Sequence, residues 1–230
     1  MPTTRCYLVR HAQTVWNCEN RIQGYSDVPL SPFGHEQAQR LAAFFASRRL
    51  TRIFTSPLQR SRETAVAIAA GPVTYGRPAS HGAGNGHGVS PVVEPELAEM
   101  RLGAWEGLTP AEVDAKFDGA YQRWRTKPSS VRIPQAERLE AFRARVQRTL
   151  EKILGSLEGG DCVVVSHGGV IAALIADVLG ADYDALLRRL RLDNAGITAL
   201  ECGSGAPHLL WVNSISHLAT LAQPPGETWF

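Results

Sequence analysis

Short runs of consecutive apolar residues alternate along the chain with segments in which apolar residues recur every three or four positions. Residues 5–10, RCYLVR, and residues 161–167, DCVVVSH, lack the two-residue alternation of a half-exposed strand, which predicts parallel strands covered on both faces. Residues 51–56, TRIFTS, are a shorter third candidate. Strands that alternate with helices predict an α/β fold, a three-layer α/β/α sandwich with a mostly parallel central sheet.

Five segments carry the signals of helices. Two of them begin with Ser-Pro, in which serine is a favoured cap and proline is favoured at the first helical position. A third begins with Thr109 and Glu112, which have the spacing of a capping box, and Gly71 is suited to end the second. The five segments are residues 31–49, 56–71, 109–124, 137–154 and 170–180.

The pattern contains no repeat and no linker between two cores, so we expect residues 1–230 to form one domain. Residues 104–135, called the excursion below, are a helical departure from the alternating pattern. Residues 71–91 are rich in glycine and unpatterned, which predicts a surface loop. This loop holds His81 and His87, which we interpret as solvated side chains, because no cysteine or acidic residue lies near them at the spacing of metal ligands.

The composition is that of a globular protein and says little about which reaction or ligand the protein serves. Apolar residues make up 44% of the chain, charged residues make up 20%, and the formal net charge is +2, the balance of an ordinary globular protein. The low charge and the lack of a basic stripe argue against a nucleic-acid partner. The longest apolar stretch is too short for a membrane span. Without a secretory leader or a disulfide-like cysteine spacing, we expect a cytoplasmic location.

Basic side chains follow the predicted strands at the points where those strands end. Arg10 and His11 end the first run, His167 ends the run at residues 161–167, and Arg60 lies about one turn into the helix after residues 51–56. Ligands of open α/β sheets bind beyond the carboxyl ends of the strands. A positive pocket at this edge suits a dianionic phosphoryl group, because arginine donates two parallel hydrogen bonds to phosphate oxygens. A structural pairing of Arg10 and His11 with a carboxylate elsewhere in the fold is the alternative.

Five motifs in order give the chain a resemblance to a known family. They are LVRHAQTVWN, RIQGYSDVPLSPFGHEQA, FTSPLQRSRETA, ELAEMRLGAWEG and VVVSHGGVI. Together they resemble the successive motifs of the histidine phosphatase superfamily, the phosphoglycerate mutase-like group, and in particular its phosphatase branch. The resemblance runs from about Tyr7 to about Leu218. Several motifs in the same order are far more specific than one Arg-His pair.

The resemblance implies a role for each matching residue. His11 is the expected nucleophile and forms a phosphohistidine, while Glu99 is the expected general acid. The expected clamp on the phosphoryl oxygens includes a cationic His167, whereas His11 is expected to be neutral, with its second ring nitrogen donating to a backbone carbonyl. The implied clamp residues are Arg10, Arg60 and His167, and the implied further phosphate contacts are Asn17, Gln23, Gly24 and the backbone of Gly168.

Two of these assignments have competitors nearby in the sequence. Arg62 could replace Arg60, but the family pattern matches Arg60. Glu99 is selected by the motif alone, because three further glutamates lie close to it. Those three are Glu94, Glu96 and Glu106.

The family resemblance implies hydrolysis of a small phosphorylated metabolite without a metal or another cofactor, and it is compatible with a homodimer. The runner-up is a 2,3-bisphosphoglycerate-dependent phosphoglycerate mutase, which needs extra cations for a second phosphate. The excursion lacks the adjacent arginine pair and the long proline-rich insert by which a chain would resemble such a mutase. Four cations could supply some of the charge that a second phosphate needs, although they could equally form a solvated face. These are Arg101, Arg123, Arg125 and Lys127. A third hypothesis is a sensor that binds phosphate esters without turnover.

Overall fold

One mixed β-sheet forms the centre of the molecule. The computed structural model describes residues 4–72, 88–157, 159–203 and 205–221, and within them the strand order is β3-β2-β4-β1-β5-β6. Strands β3, β2, β4 and β1 are parallel, whereas β5 runs antiparallel to β1 and to β6. The strands are β1 (Thr4–Arg10), β2 (Leu50–Thr55), β3 (Val92–Val93), β4 (Gly160–Ser166), β5 (Ile197–Cys202) and β6 (His208–Ser214).

Helices cover both faces of this sheet, which confirms the predicted three-layer α/β/α sandwich. On one face α2 and α3 pack on Tyr7 and Val9 of β1, and on the other α6 and α7 pack on Cys6 and Leu8. Because alternate residues of β1 and β4 enter opposite cores, the central four residues of each strand are all apolar. In the described part of the chain the α-helices are α1 (Val15–Cys18), α2 (Pro32–Phe45), α3 (Gln59–Ala70), α4 (Pro110–Lys116), α5 (Ala120–Thr126), α6 (Leu139–Gly155), α7 (Gly168–Leu179) and α8 (Tyr183–Leu187).

Two of the three predicted cap signals mark a helix start in the structure. Ser31 accepts a hydrogen bond from the Gly34 N–H at the start of α2, and Thr109 and Glu112 form the predicted capping box of α4. The same prediction for Ser56 is wrong, because α3 begins only at Gln59. The carboxylate of Asp27 accepts from the Gln59 N–H at 2.6 Å, so a side chain distant in sequence satisfies this helix end.

The single helix predicted for residues 109–124 is also wrong, because the chain breaks it into α4 and α5. Asp118 and Gly119 have φ values of 51° and 70°, in the left-handed region that ends helices. The carboxylate of Asp114 then accepts hydrogen bonds from the Tyr121 and Gln122 N–H groups. The excursion thus folds back on itself and packs a separate apolar cluster around Trp105, which includes Ile22 from outside the excursion.

Some sequence-based predictions fall outside what the structure describes. Residues 73–87 of the glycine-rich segment, including His81 and His87, lie outside the described residues. Among the helices that are described, none is long and apolar enough to cross a lipid bilayer.

Candidate active site

Three parallel strands deliver the predicted site residues to one edge of the sheet. In the β2-β4-β1 part of the sheet, Arg10 is in register with Ser166, and Thr55 with Val165. The segments after these strands carry His11, His167 and Arg60. The Glu99 segment follows β3 and is fixed to the end of β4, because the Ser166 hydroxyl donates to the Leu97 carbonyl at 2.7 Å. The carboxyl edge of a parallel sheet therefore gathers side chains that are distant in sequence.

The antiparallel strand β5 adds a fifth segment to the same edge, which the sequence did not predict. Because β5 runs against β1, the residues before β5 lie beside the end of β1. There the Arg10 guanidinium donates to the Leu192 carbonyl, and the Asn194 side-chain amide donates to the His11 carbonyl at 3.1 Å. The Ala195 N–H also lies 3.1 Å from the Arg10 carbonyl. The loop before β5 thus fixes the backbone of the Arg10–His11 pair.

His11 is buried, with its ring held in one orientation. Its Nδ1 lies 2.8 Å from the Ala12 carbonyl oxygen, and because a carbonyl can only accept, Nδ1 carries the proton. Nε2 is then the ring nitrogen with the lone pair. Burial, with the nearby Arg60 and Arg10, holds the pKa of His11 well below its ordinary value of 6.5. The predicted backbone acceptor for the His11 ring is present, and the lowered pKa favours the predicted neutral imidazole.

Arg60 connects the segments around the site through neutral acceptors. Its guanidinium donates to the Ser26 and Gly24 carbonyls at 2.7 and 2.8 Å and, through Nε, to Nδ1 of His167 at 3.3 Å. Burial lowers the pKa of Arg60 from 12.5 to about 10, and burial does the same for Arg10. Both guanidiniums therefore stay charged at neutral pH. Arg62, the alternative candidate, is exposed on the opposite side of α3.

His167 lies behind the cleft, and its expected role as a cation of the phosphoryl clamp stays a prediction. Its Nδ1 accepts from Arg60, so the neutral ring carries its proton on Nε2, which lies 2.7 Å from the Ser56 hydroxyl. Burial, followed by Arg60, holds the pKa of His167 well below 6.5. The His11 and His167 ring centroids are 5.2 Å apart. Ser56, which does not cap α3, instead orients this imidazole.

Glu99 is buried at the amino end of α7. Its two carboxylate oxygens accept from the Met100 N–H at 2.8 Å and from the Gly169 N–H at 3.0 Å. A Cβ on Gly169 would lie 2.5 Å from a Glu99 oxygen, so the carboxylate needs glycine at this position. Burial lowers the pKa of Arg10 and of Arg60, and the nearby Glu99 carboxylate offsets part of that lowering.

Arg145, which the sequence analysis missed, holds the Glu99 segment in place. This α6 residue donates to the Ala98 and Glu99 carbonyls at 2.8 and 3.1 Å and forms a two-pronged ion pair with Glu137. A bidentate arginine–carboxylate pair fixes the direction of the guanidinium. The sequence holds one signal for this role, which is that Arg145 lies on the face of α6 that carries the buried apolar residues.

The three competing glutamates have other partners. Glu94 pairs with Lys152 at 2.6 Å, and Glu96 is exposed. Glu106 accepts from the Tyr25 and Leu102 N–H groups and from the Ser26 hydroxyl at 2.6 Å. Because Arg60 donates to carbonyls in the same 24–26 turn, Glu106 supports the arginine indirectly.

The remaining predicted contacts divide into two groups. Gln23, Gly24 and Gly168 line the cleft together with Arg10, His11, Arg60 and Glu99. Gly24 adopts a φ of 52°, and a Cβ there would lie 2.4 Å from Glu106. Asn17 lies behind the cleft, where its side-chain oxygen accepts from the Thr14 N–H at 3.0 Å and from Asn194 at 3.3 Å. Its contact with phosphate therefore stays a prediction.

The buried neutral histidines predict how stability changes with pH. Above pH 6.5 His11 and His167 are neutral in the folded and in the unfolded chain. Below pH 6.5 the unfolded chain binds protons that the folded chain does not, because both folded pKa values are depressed. Burial also lowers the pKa of His217 to about 4. We therefore expect the free energy of unfolding to fall with pH below 6.5 by up to about 4 kcal/mol per pH unit, three protons at about 1.4 kcal/mol each.

Urea denaturation between pH 7.5 and pH 4.5 measures this slope. A His35→Ala variant is the control, because His35 is exposed on α2 and its loss should leave the slope unchanged. A His11→Asn variant should have a smaller slope than the native chain. Equal unfolding free energies across this range would contradict the neutral assignment.

Comparison with known proteins agrees with this geometry. The family model of branch 1 of the histidine phosphatase superfamily matches residues 6–215. A relative described as "probable phosphoglycerate mutase GpmB" from Serratia proteamaculans is 34% identical in an alignment 204 residues long, which covers 85% of this chain and 83% of the relative.

Solved structures share the whole fold. YhfR of Bacillus stearothermophilus superposes with a TM-score of 0.81 at 28% identity, over 94% of this chain and 99% of that one. A mycobacterial glucosyl-3-phosphoglycerate phosphatase, in complex with VO3, superposes with a TM-score of 0.77 at 30% identity, over 91% and 98%. The chain therefore belongs to branch 1 of the histidine phosphatase superfamily.

Proposed function

We propose that the protein is a phosphomonoesterase that hydrolyses small phosphorylated metabolites through a phosphohistidine at His11. One observation carries the proposal. The His11 imidazole is neutral, donates from Nδ1 to the Ala12 carbonyl, and shares a cleft with two guanidiniums and one carboxylate. A fixed tautomer leaves Nε2 ready to attack an electrophile.

The proposed reaction has two steps. In the first, Nε2 of His11 forms a bond to phosphorus, the bond to the ester oxygen breaks, and protonated Glu99 gives its proton to the departing alkoxide. In the second, the Glu99 carboxylate takes a proton from water while the water oxygen attacks phosphorus. The bond from phosphorus to Nε2 then breaks, inorganic phosphate leaves, and His11 and Glu99 return to their starting states.

The proposed clamp is built from Arg10 and Arg60, with the Gly168 backbone at the start of α7. Guanidiniums that keep their charge in a buried site stabilise the charge that develops on the equatorial oxygens. We therefore propose turnover without a metal. His167 orients Arg60 through its Nδ1 and sits 5.2 Å from the His11 ring, and a bound phosphoryl dianion would favour its protonation.

The mutase alternative draws support from the relative named above, but the cleft lacks its cations. The four cations that the sequence offered for a second phosphate do not line the described cleft. Arg101 stacks on the Tyr25 ring at 3.8 Å, and Arg123 donates to the Asp118 carbonyl. These contacts favour hydrolysis over retention of a bisphosphorylated intermediate.

Two assays on the native chain test the proposal. Phosphate release from a panel of phosphomonoesters should be measurable and unchanged by EDTA. Conversion of 3- to 2-phosphoglycerate with added 2,3-bisphosphoglycerate should be slower than phosphate release. Faster isomerisation would establish the mutase, and binding of the esters without turnover would establish a sensor.

The remaining predictions concern organisation. We propose that residues 1–230 act as one domain and that the excursion forms a lid over the cleft, because Trp105, Tyr121 and Trp124 of the excursion line it. The homodimer stays a prediction.

A further inference from the structure

We propose that the organic part of the substrate is apolar or aromatic and carries no second acidic group. This inference rests on the proposed phosphomonoesterase function and specifies its substrate class. Phosphate esters of aromatic or aliphatic alcohols fit this class, whereas phosphoserine and phosphoglycerates do not, because each carries a carboxylate beside the phosphoryl group.

Aromatic side chains form one wall of the cleft. Trp105, Tyr121 and Trp124 line it, with the Tyr121 and Trp124 rings stacked at 6.0 Å and the Trp105 and Trp124 rings edge to face at 6.3 Å. These rings hold one another in fixed positions. A preformed aromatic wall favours flat or apolar groups, because binding them costs little reorganisation of the protein.

Apolar residues also make up much of the other walls beyond the phosphoryl site, beside the polar Asn20 and Tyr183. Leu102 and Ile22 extend the aromatic wall, and Met100, Phe142 and Leu187 face it from the Glu99 segment, α6 and α8. These apolar residues line the same cleft as Arg10 and Arg60, so an organic group attached to a clamped phosphoryl group would lie against them.

Each cationic side chain that lines the cleft already has a partner or a proposed role. Among the described residues that line it, the cations are Arg10, Arg60 and Arg21. The first two belong to the proposed phosphoryl clamp. Arg21 donates to Glu19 at 2.7 Å and to the Gly107 carbonyl at 2.8 Å, and it lies 3.5 Å from Glu112. A substrate carboxylate would therefore have to compete with two acidic side chains for this guanidinium.

Rates of phosphate release from one apolar and two acidic esters test the proposal. The probes are 1-naphthyl phosphate, phosphoserine and 3-phosphoglycerate, each assayed by phosphate release from the native chain. We expect kcat/KM for 1-naphthyl phosphate to exceed that of either acid by at least about tenfold, because the ring buries apolar surface that the acids lack. A kcat/KM for either acid that equals or exceeds the naphthyl value would overturn the proposal.

A matched pair of variants separates the cleft wall from general packing. Trp124 and Phe117 both pack on Trp105, with centroids 6.3 and 6.5 Å away, but of the two Trp124 alone lines the cleft. We expect Trp124→Ala to lower the ratio of the naphthyl to the phosphoserine kcat/KM by about tenfold, and Phe117→Ala to leave it within about twofold. Equal ratios in the two variants would count against the wall, since loss of folded protein lowers both rates alike.

Failure of the function and failure of the preference give different results. If neither these three esters nor any ester of the panel is hydrolysed, the phosphomonoesterase proposal is wrong. Calorimetric dissociation constants of the native chain for the same three esters then decide the preference without turnover. Tighter binding of 1-naphthyl phosphate supports the apolar site, and tighter binding of either acid overturns it.

Discussion

Replacing His11 with alanine is expected to lower kcat for every phosphomonoester substrate by at least about 10⁴-fold, the scale of removing a covalent nucleophile. The variant removes the nitrogen that is proposed to bond to phosphorus, while Arg10, Arg60 and Glu99 remain to bind the ester. KM should therefore change far less than kcat. Steady-state phosphate release from 1-naphthyl phosphate, with enzyme concentration raised for the variant, measures the difference.

The matched control for this substitution is His35→Ala. His35 lies in the second of the five motifs but is exposed on α2, so kcat should stay at the native value. Circular dichroism spectra and urea midpoints of both variants establish that they fold. A folded His11→Ala protein with kcat within about tenfold of the native value would exclude His11 as the nucleophile, because so small a loss is below the range for a nucleophile.

Replacing Glu99 with glutamine is expected to have an effect that depends on the leaving group. For an alkyl ester such as hexyl phosphate, kcat should fall by about 10²- to 10⁴-fold, because the departing alkoxide needs a proton from the general acid. For p-nitrophenyl phosphate the first step should be nearly unaffected, since p-nitrophenolate leaves without a proton. The glutamine oxygen can still accept from the Met100 or Gly169 N–H, as the carboxylate does.

Rapid-mixing kinetics show this separation directly. Because Glu99 is also proposed as the base in the second step, the glutamine variant should release a stoichiometric burst of p-nitrophenol and then turn over slowly. Glu96→Gln is the control, because the Glu96 side chain is exposed beside the same segment. Equal losses for the alkyl and the nitrophenyl esters, with no burst, would remove Glu99 from the role of general acid.

Much of the layer architecture could be predicted from local pattern. The apolar runs of β1 and β4 and the amphipathic helices α2 and α6 encode burial at each position, and burial decides their place in the sandwich. The failures have a common cause. Ser56 carries a cap signal, but its hydroxyl contacts His167 and the carboxylate of Asp27 caps α3. The local sequence cannot show that residues distant along the chain will form these contacts.

The sequence predicts which residues lie at the strand ends and in the motifs of the candidate site, but not the contacts that these residues make. Strand order places Arg10, His11 and His167 at one edge, but the protonation of His167 depends on the Arg60 Nε beside it. Arg145 and the loop before β5 were missed for a related reason. Their roles come from contacts with the carbonyls of Glu99 and His11, which any residue would present.

Chemical trapping of the phosphoenzyme tests the central claim most directly. The native chain is mixed with p-nitrophenyl phosphate, quenched in base within the first turnover, digested and examined by mass spectrometry. The account predicts one added phosphoryl group on the peptide that contains His11, labile to acid and lacking in the His11→Ala variant. A phosphoryl group on another residue, or full turnover through no covalent adduct, would contradict it.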